Sequence, residues 1–342
     1  MPYQTGTVTD FADLKSTIFS YLAANGYTQE GADIIKKGNL FAAITATATQ
    51  LKMIGAKDSD GAGNLVDDFR TITDGYEKAT GLGCTISRDV QLVSSNLVTM
   101  VFPITYHFHL ATSPVDEFWC VVEYNGGYCQ HLGLGNIVKA APFTGGGFYT
   151  GTGNAYYDYL AAWQFLTPTL TSANGFYTSP VRPFMFHQRN NGAETFGGSA
   201  VHAEIDGFHW FMSISDCTYD DYGTPGNPYD PGCPSGIMPS SPFSKEVQRS
   251  QSPINGVASL IPLRLYGRTL NHNLMKIGTI HNYRMAVNYN ITFGQVEDDG
   301  TDKWKFYPFI FKDSDRTTIE QIDNPHPTSS GPWGFALRYD GP

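Results

Sequence analysis

Glu117-Phe118-Trp119-Cys120-Val121-Val122-Glu123-Tyr124-Asn125-Gly126-Gly127-Tyr128-Cys129-Gln130-His131-Leu132 is the stretch whose reading decides the fold. Aromatic and β-branched residues run into Asn125-Gly126-Gly127, and a second strand-like run follows. Asn-Gly and Gly-Gly supply the positive φ that tight hairpin turns need, so 118–124 and 128–132 are expected to pair antiparallel. A turn centred on Asn125-Gly126 or Gly126-Gly127 would set Cys129 opposite Val122 or Tyr124. Cys120 and Cys129 are then out of register for a cross-strand disulfide.

Working outward, the chain is strand-dense on both sides of this hairpin. Runs at 97–102 and 104–110 precede it, and a second hairpin is expected at 201–205 and 208–213 around Asp206-Gly207. Residues 257–266, 283–293 and 303–311 read as further strands, the last two joined by the acidic turn Glu297-Asp298-Asp299-Gly300. A meander paired nearly to residue 342 is the simple reading of this part. Near the N-terminus, Phe11, Leu14, Ile18 and Leu22 recur at helical steps after Thr9-Asp10, which predicts a helix over 10–24 stopped by Asn25-Gly26. Residues 39–54 alternate with period two, which is strand chemistry, and 58–64 reads as a turn or loop.

Two glycine-rich stretches interrupt the pattern. Gly145-Gly146-Gly147 and Gly151-Thr152-Gly153 bracket Phe148 and Tyr149 without a phosphate-binding pattern, so a flexible or tightly packed loop is expected, followed by an aromatic stretch around Tyr156, Tyr157, Tyr159 and Trp163. Residues 217–243 hold so many prolines and glycines that regular structure cannot persist. The expected fold class is α+β, mostly β: a small helix-on-sheet module at 1–95, a β-rich module at 96–216, a loop or linker at 217–243, and a C-terminal β module at 244–342.

Composition narrows the function classes. Only 16% of the 342 residues are charged, against about 25% usually, while 14% are aromatic. Surface that is rich in aromatics and poor in charge is what the centres of protein interfaces favour. The net charge of −10 and the lack of a Lys/Arg cluster speak against direct nucleic-acid binding. The polar start Met1-Pro2-Tyr3-Gln4-Thr5-Gly6 does not read as a signal peptide, so none is expected, and no apolar run approaches a membrane span. Cys84, Cys120, Cys129, Cys217 and Cys233, without a CxxC pair, read as free thiols.

The motifs that could carry chemistry are each weak. His107 and His109 share one strand face and could offer two imidazoles to a metal, but two ligands make an incomplete site. His202, Glu204, Asp206 and His209 gather at the second hairpin, whose outer face needs polar residues anyway. Asp220, Asp221 and Asp230 beside Tyr219, Tyr222 and Tyr229 resemble the ingredients of a glycosidase, yet spacing in a Pro/Gly loop fixes no distance in space. No GxSxG elbow appears. No catalytic residue and no cofactor are expected.

The string from Glu117 to Ile137, with its "QHLGLGNI" ending, together with Thr144-Gly145-Gly146-Gly147-Phe148-Tyr149-Thr150-Gly151, resembles segments of virion structural proteins of tailed phages. Tyr3-Gln4-Thr5-Gly6-Thr7, Asp302-Lys303-Trp304-Lys305-Phe306-Tyr307-Pro308 and Gly334-Phe335-Ala336-Leu337-Arg338-Tyr339 are similar to the same family. None of these motifs is catalytic. The resemblance implies a non-enzymatic subunit of the tail or baseplate, assembled in the host cytoplasm into the virion as a homo-oligomer beside other tail proteins. Phe148, Tyr149, Tyr156, Tyr157, Tyr219, Tyr222 and Tyr229 are the expected contact residues. A tail component that binds a host receptor or glycan is the alternative, using Trp163 or the loop tyrosines as platforms; an envelope-degrading enzyme is the third reading.

Overall fold

The computed structural model describes residues 2–68, 84–93, 96–151, 160–164, 186–190, 195–196, 201–205, 208–212, 259–268, 274–287, 294–308 and 333–341. Among the described residues the fold is mostly β, with one short N-terminal helix and three large antiparallel sheets.

In chain order the first elements are β1 (Tyr3–Val8), α1 (Phe11–Ala24), β2 (Thr28–Glu30), β3 (Ile34–Lys37), β4 (Leu40–Ala46), β5 (Gln50–Ser59), β6 (Leu65–Asp68) and β7 (Cys84–Ser87). Asp10 caps α1 by accepting from the Asp13 N–H at 2.7 Å, and the Asp13 carboxylate accepts from the Thr9 N–H at 2.9 Å. Phe11, Leu14, Ile18 and Leu22 are all buried, as their spacing predicts, and Asn25 caps the other end before Gly26 at φ +85°. Strands β2 to β6 form the N-terminal sheet in sequence order, with β7 on the Gln50–Met53 end of β5.

The strand chemistry of 39–54 is divided between two strands, β4 and β5. Thr47 Oγ1 accepts from the Thr49 and Gln50 N–H groups, each at 3.2 Å, and this side-chain turn folds β4 back on β5. Alternation continues across a tight turn, so periodicity alone could not reveal the reversal.

Next come β8 (Asp89–Val93), β9 (Asn96–Thr99), β10 (Ile104–Ala111), β11 (Glu117–Tyr124), β12 (Tyr128–Asn136), β13 (Val138–Lys139) and β14 (Gly145–Gly151). The predicted hairpin is β11–β12, but its loop has three residues, with Asn125, Gly126 and Gly127 all at positive φ. This sets Cys129 opposite Glu123, one residue away from either expected partner, while Cys120 pairs with Leu132. The cysteines remain out of register, and both are buried free thiols. Within the glycine-rich stretch expected as a loop, Gly145–Gly151 is a strand. β14 pairs with β12, and a side chain at Gly151 would meet the His131 carbonyl oxygen at 2.8 Å and Cys84 Cβ at 2.9 Å, so glycine there permits the close approach.

The remaining strands are β15 (Leu160–Gln164), β16 (Phe186–Asn190), β17 (Thr195–Phe196), β18 (Val201–Ile205), β19 (Phe208–Met212), β20 (Ser259–Arg268), β21 (Leu274–Val287), β22 (Val296–Asp298), β23 (Lys303–Pro308) and β24 (Trp333–Tyr339). β18 and β19 form the second expected hairpin, with Ile205 opposite Phe208. The central sheet runs β1-β10-β11-β12-β14-β18-β19, and the C-terminal sheet β13-β21-β24-β23-β22 with β20 on β21. The last sheet is not a meander, because β24 inserts between β21 and β23. Backbone pairing also crosses the boundaries drawn from the sequence: β1 belongs to the central sheet and β13 to the C-terminal one.

The central sheet is covered on both faces. Tyr106, Phe108, Leu110, Phe118, Cys120, Val122, Leu132, Leu134 and Tyr149 join the α1 and N-terminal-sheet residues in one apolar cluster. Phe108 stands 5.1 Å from Tyr21 and 5.6 Å from Phe118, ring centre to ring centre. The alternate residues of the same strands face the C-terminal sheet. Because each buried large apolar side chain stabilises by about 1.5–3 kcal/mol, this double burial makes β10 to β12 the core of the molecule.

Candidate functional site

The second face of the central sheet carries an unusual share of polar groups, and they define the candidate site. Alternation on β10, β11 and β12 places His107, His109, Glu117, Trp119, Glu123 and His131 there, with Tyr3 on the neighbouring β1. Tyr283, Tyr307, Phe335 and Tyr339 cover them from the C-terminal sheet. Trp119 and Tyr283 lie 4.8 Å apart, His131 and Phe335 4.5 Å, and the Tyr283 and Phe335 rings are stacked at 5.3 Å.

His107 and His109 do share a face, as their spacing predicts, but that face is buried between two sheets rather than at a surface. His109 is held at both nitrogens, Nδ1 by the Arg338 carbonyl at 3.1 Å and Nε2 by the Tyr307 hydroxyl at 2.7 Å. Burial lowers its pKa to about 3, so the ring stays neutral. His107 Nδ1 meets the Tyr3 hydroxyl at 2.7 Å, and its Nε2 lies 3.8 Å from the Glu123 carboxylate. Among the described residues, no group of three or more His, Cys, Asp and Glu side chains is gathered for a metal ion.

Tyr3 extends this network to the other sheet. Lys305 Nζ donates to the Tyr3 hydroxyl at 2.8 Å and sits 4.5 Å above the Tyr3 ring and 5.2 Å from that of Tyr339. Burial lowers the Lys305 pKa and raises that of Tyr3. Lys305, Tyr3 and His107 thus form a hydrogen-bonded string with the Glu123 carboxylate beside it, and the string ties β1 to β23.

Deeper in the layer, Glu117 is wholly buried. Its carboxyl accepts from the His281 N–H at 2.7 Å, the Asn282 N–H at 3.1 Å and the Trp119 indole N–H at 3.3 Å. Burial pushes its pKa up to about 7, against the opposing pull of those donors and of the Arg284 charge. His131 is equally buried, and burial lowers its pKa to about 3. Gln130, on the opposite face of β12, grips the end of β7: its Oε1 accepts from the Ser87 N–H and its Nε2 donates to the Ser87 carbonyl, each at 2.8 Å.

The glycines of the "QHLGLGN" segment are explained by this layer. A Cβ at Gly135 would stand 2.6 Å from the Asp116 carbonyl oxygen and 2.8 Å from Glu117 Cα. One at Gly133 would enter the Trp119 ring. These glycines, with Glu117, Gln130 and His131, are the residues that sequence reasoning did not single out as a site. The available signal was an acidic and an imidazole side chain inside otherwise apolar strands.

The other expected site residues fall elsewhere. Phe148 and Tyr149 are enclosed by the chain's own core, on opposite faces of β14, so their rings are not available for contacts between subunits. Their strand is doubly covered, and that is the reason the surface reading fails for them. Glu204 pairs with His209 and His202 with Phe211 across β18–β19, and Trp163 lies on β15. Tyr156, Tyr157, Tyr159, Asp206, Tyr219, Asp220, Asp221, Tyr222, Tyr229 and Asp230, with Cys217 and Cys233, lie outside the described residues. No helix among the described residues is long and apolar enough to cross a membrane.

No protein-family model matches this chain. No curated protein matches it either.

Proposed function

We propose that this chain is a structural subunit of a tailed-phage particle, in the tail or baseplate, and that it acts through protein contacts rather than catalysis. The observation that carries the reading is the use to which these polar side chains are put. Glu117, His109, Gln130 and Lys305 each hold one sheet or strand to another, by the bonds given above. Such cross-bracing suits a part that must keep its shape under load, and the sequence resemblance to virion structural proteins supplies the setting.

The partners are copies of the same chain and other tail or baseplate proteins. Tyr156, Tyr157, Tyr219, Tyr222 and Tyr229 are the contact residues in this proposal. Obligate interfaces bury about 2,000 Å² or more and favour aromatic anchors at their centres. Phe148 and Tyr149 take no part, since both belong to the core.

The test replaces those five tyrosines by alanine in the full chain and images the particles that form. Loss of assembly, with the variant monomer still giving a cooperative unfolding transition, supports the proposal. Normal particles, or turnover of a polysaccharide or peptidoglycan by the purified wild-type chain, would sink it. Saturable binding of the wild-type chain to host polysaccharide, with normal assembly of the variant, replaces it with the receptor-binding role.

A further inference from the structure

β21 changes partners at His281 and Asn282. On one edge β13 covers Gly278 and Thr279, and β24 begins at Tyr283; on the other, the β20 register jumps from Ile280 to Arg284. Neither residue has a ladder partner in any of these three pairings, yet a buried N–H must be satisfied somewhere. The carboxyl of Glu117, reaching across from the central sheet, accepts from both. Gly135 leaves it the room to do so.

The groups facing this carboxyl come from every element around it. From β21, Arg284 adds its charge but directs Nη1 to the His281 and Tyr283 carbonyls, and its guanidinium lies 4.3 Å from the Trp304 ring. His281, on the same strand, is half-buried and its pKa is lowered, first by burial. Asp116, next to Glu117, pairs with Lys37 of β3 at 2.7 Å, and Tyr27 precedes β2 within electrostatic reach. An ionised carboxylate held chiefly by neutral N–H groups at full burial is costly, whereas a neutral carboxyl still accepts at its carbonyl oxygen.

We propose that Glu117 is a proton-operated clamp: protonated, it docks residues 281–282 of the C-terminal sheet on the central sheet, and ionised, it loosens that docking. The elevation of its pKa to about 7 by burial places the change near neutral pH. The folded-state value is raised, so the stabilisation is complete below the ordinary glutamate range of about 4.5 and is lost as pH rises through about 7. Opening would bare the rings of Tyr283 and Phe335 together with those of the central sheet. The inference is independent of the virion reading.

Amide hydrogen exchange at His281 and Asn282 tests it, measured on the full chain from pH 4.5 to 8.5 for wild type and Glu117→Gln. Protection of the wild type relative to the variant should fall about ten-fold per pH unit up to about pH 7 and level off above it. A ratio that does not change with pH overturns the clamp. Should the variant not fold, the ¹³C shift of the Glu117 carboxyl decides in the wild type: a midpoint near 7 supports the proposal, and one in the ordinary glutamate range overturns it.

Discussion

Gly133 of β12 lies directly against the indole of Trp119 on β11, so close that a Cβ on the glycine would stand 2.8 Å from Cδ2 and nearer still to two other ring carbons. The ring is one of the largest fully buried side chains among the described residues, and it is packed against Tyr283 as well. The glycine and the tryptophan are therefore a matched pair.

Gly133→Ala should destabilise the protein by about 1–3 kcal/mol, the usual cost of overpacking a filled core. A lowered urea midpoint with unchanged m-value is the expected result. Gly126→Ala is the control of different origin: nothing lies near a Cβ there, but φ is +77°, so backbone strain alone should cost about 1 kcal/mol. Equal stability of Gly133→Ala and wild type would contradict the packing account.

Acid should weaken the fold through two histidines. His109 and His131 are held neutral by burial, with pKa lowered from 6.5 to about 3. Their contribution is whole above about pH 6.5 and is lost as pH falls toward 3, at about 1.4 kcal/mol per pH unit for each proton. Glu117 has the opposite sign between about 4.5 and 7 and offsets one of the two. Urea midpoints measured from pH 7.5 to 4.5 should fall with pH. His131→Phe should flatten the fall, and Glu117→Gln should steepen it.

Gln130→Ala should cost about 2 kcal/mol or more, because both backbone groups of Ser87 lose their partners within a buried region. Thermal unfolding reads the loss. Faster amide exchange at Ser87, with β10 and β11 unaffected, would locate it to the β7 attachment.

Cys84, Cys120 and Cys129 should be unreactive toward an aromatic disulfide reagent in the native Cys217→Ser/Cys233→Ser variant. All three are buried, and burial raises each thiol pKa above its ordinary value, which keeps the nucleophilic thiolate rare. Denaturant should release all three. Rapid labelling before unfolding would show that the layers open more readily than the packing implies.

Local features were legible in the sequence because local rules decide them. The α1 cap at Asp10, the stop at Asn25-Gly26 and the two hairpins follow from capping, periodicity and turn chemistry over a few residues. The candidate layer was not legible, because β11 is buried on both faces. Phe118, Trp119, Cys120, Val121 and Val122 form an unbroken apolar run that hides which residues share a side.

Sequence by itself determined a mostly antiparallel β chain with one N-terminal helix, since period, propensity and turn residues act within a strand or between neighbours. Only the tertiary structure decided that β1 joins β10, that β24 enters between β21 and β23, and that Glu117 meets His281. Those contacts join residues far apart in the chain, and what selects them is the satisfaction of buried N–H groups and the filling of space around Trp119, quantities that exist only once the sheets are stacked.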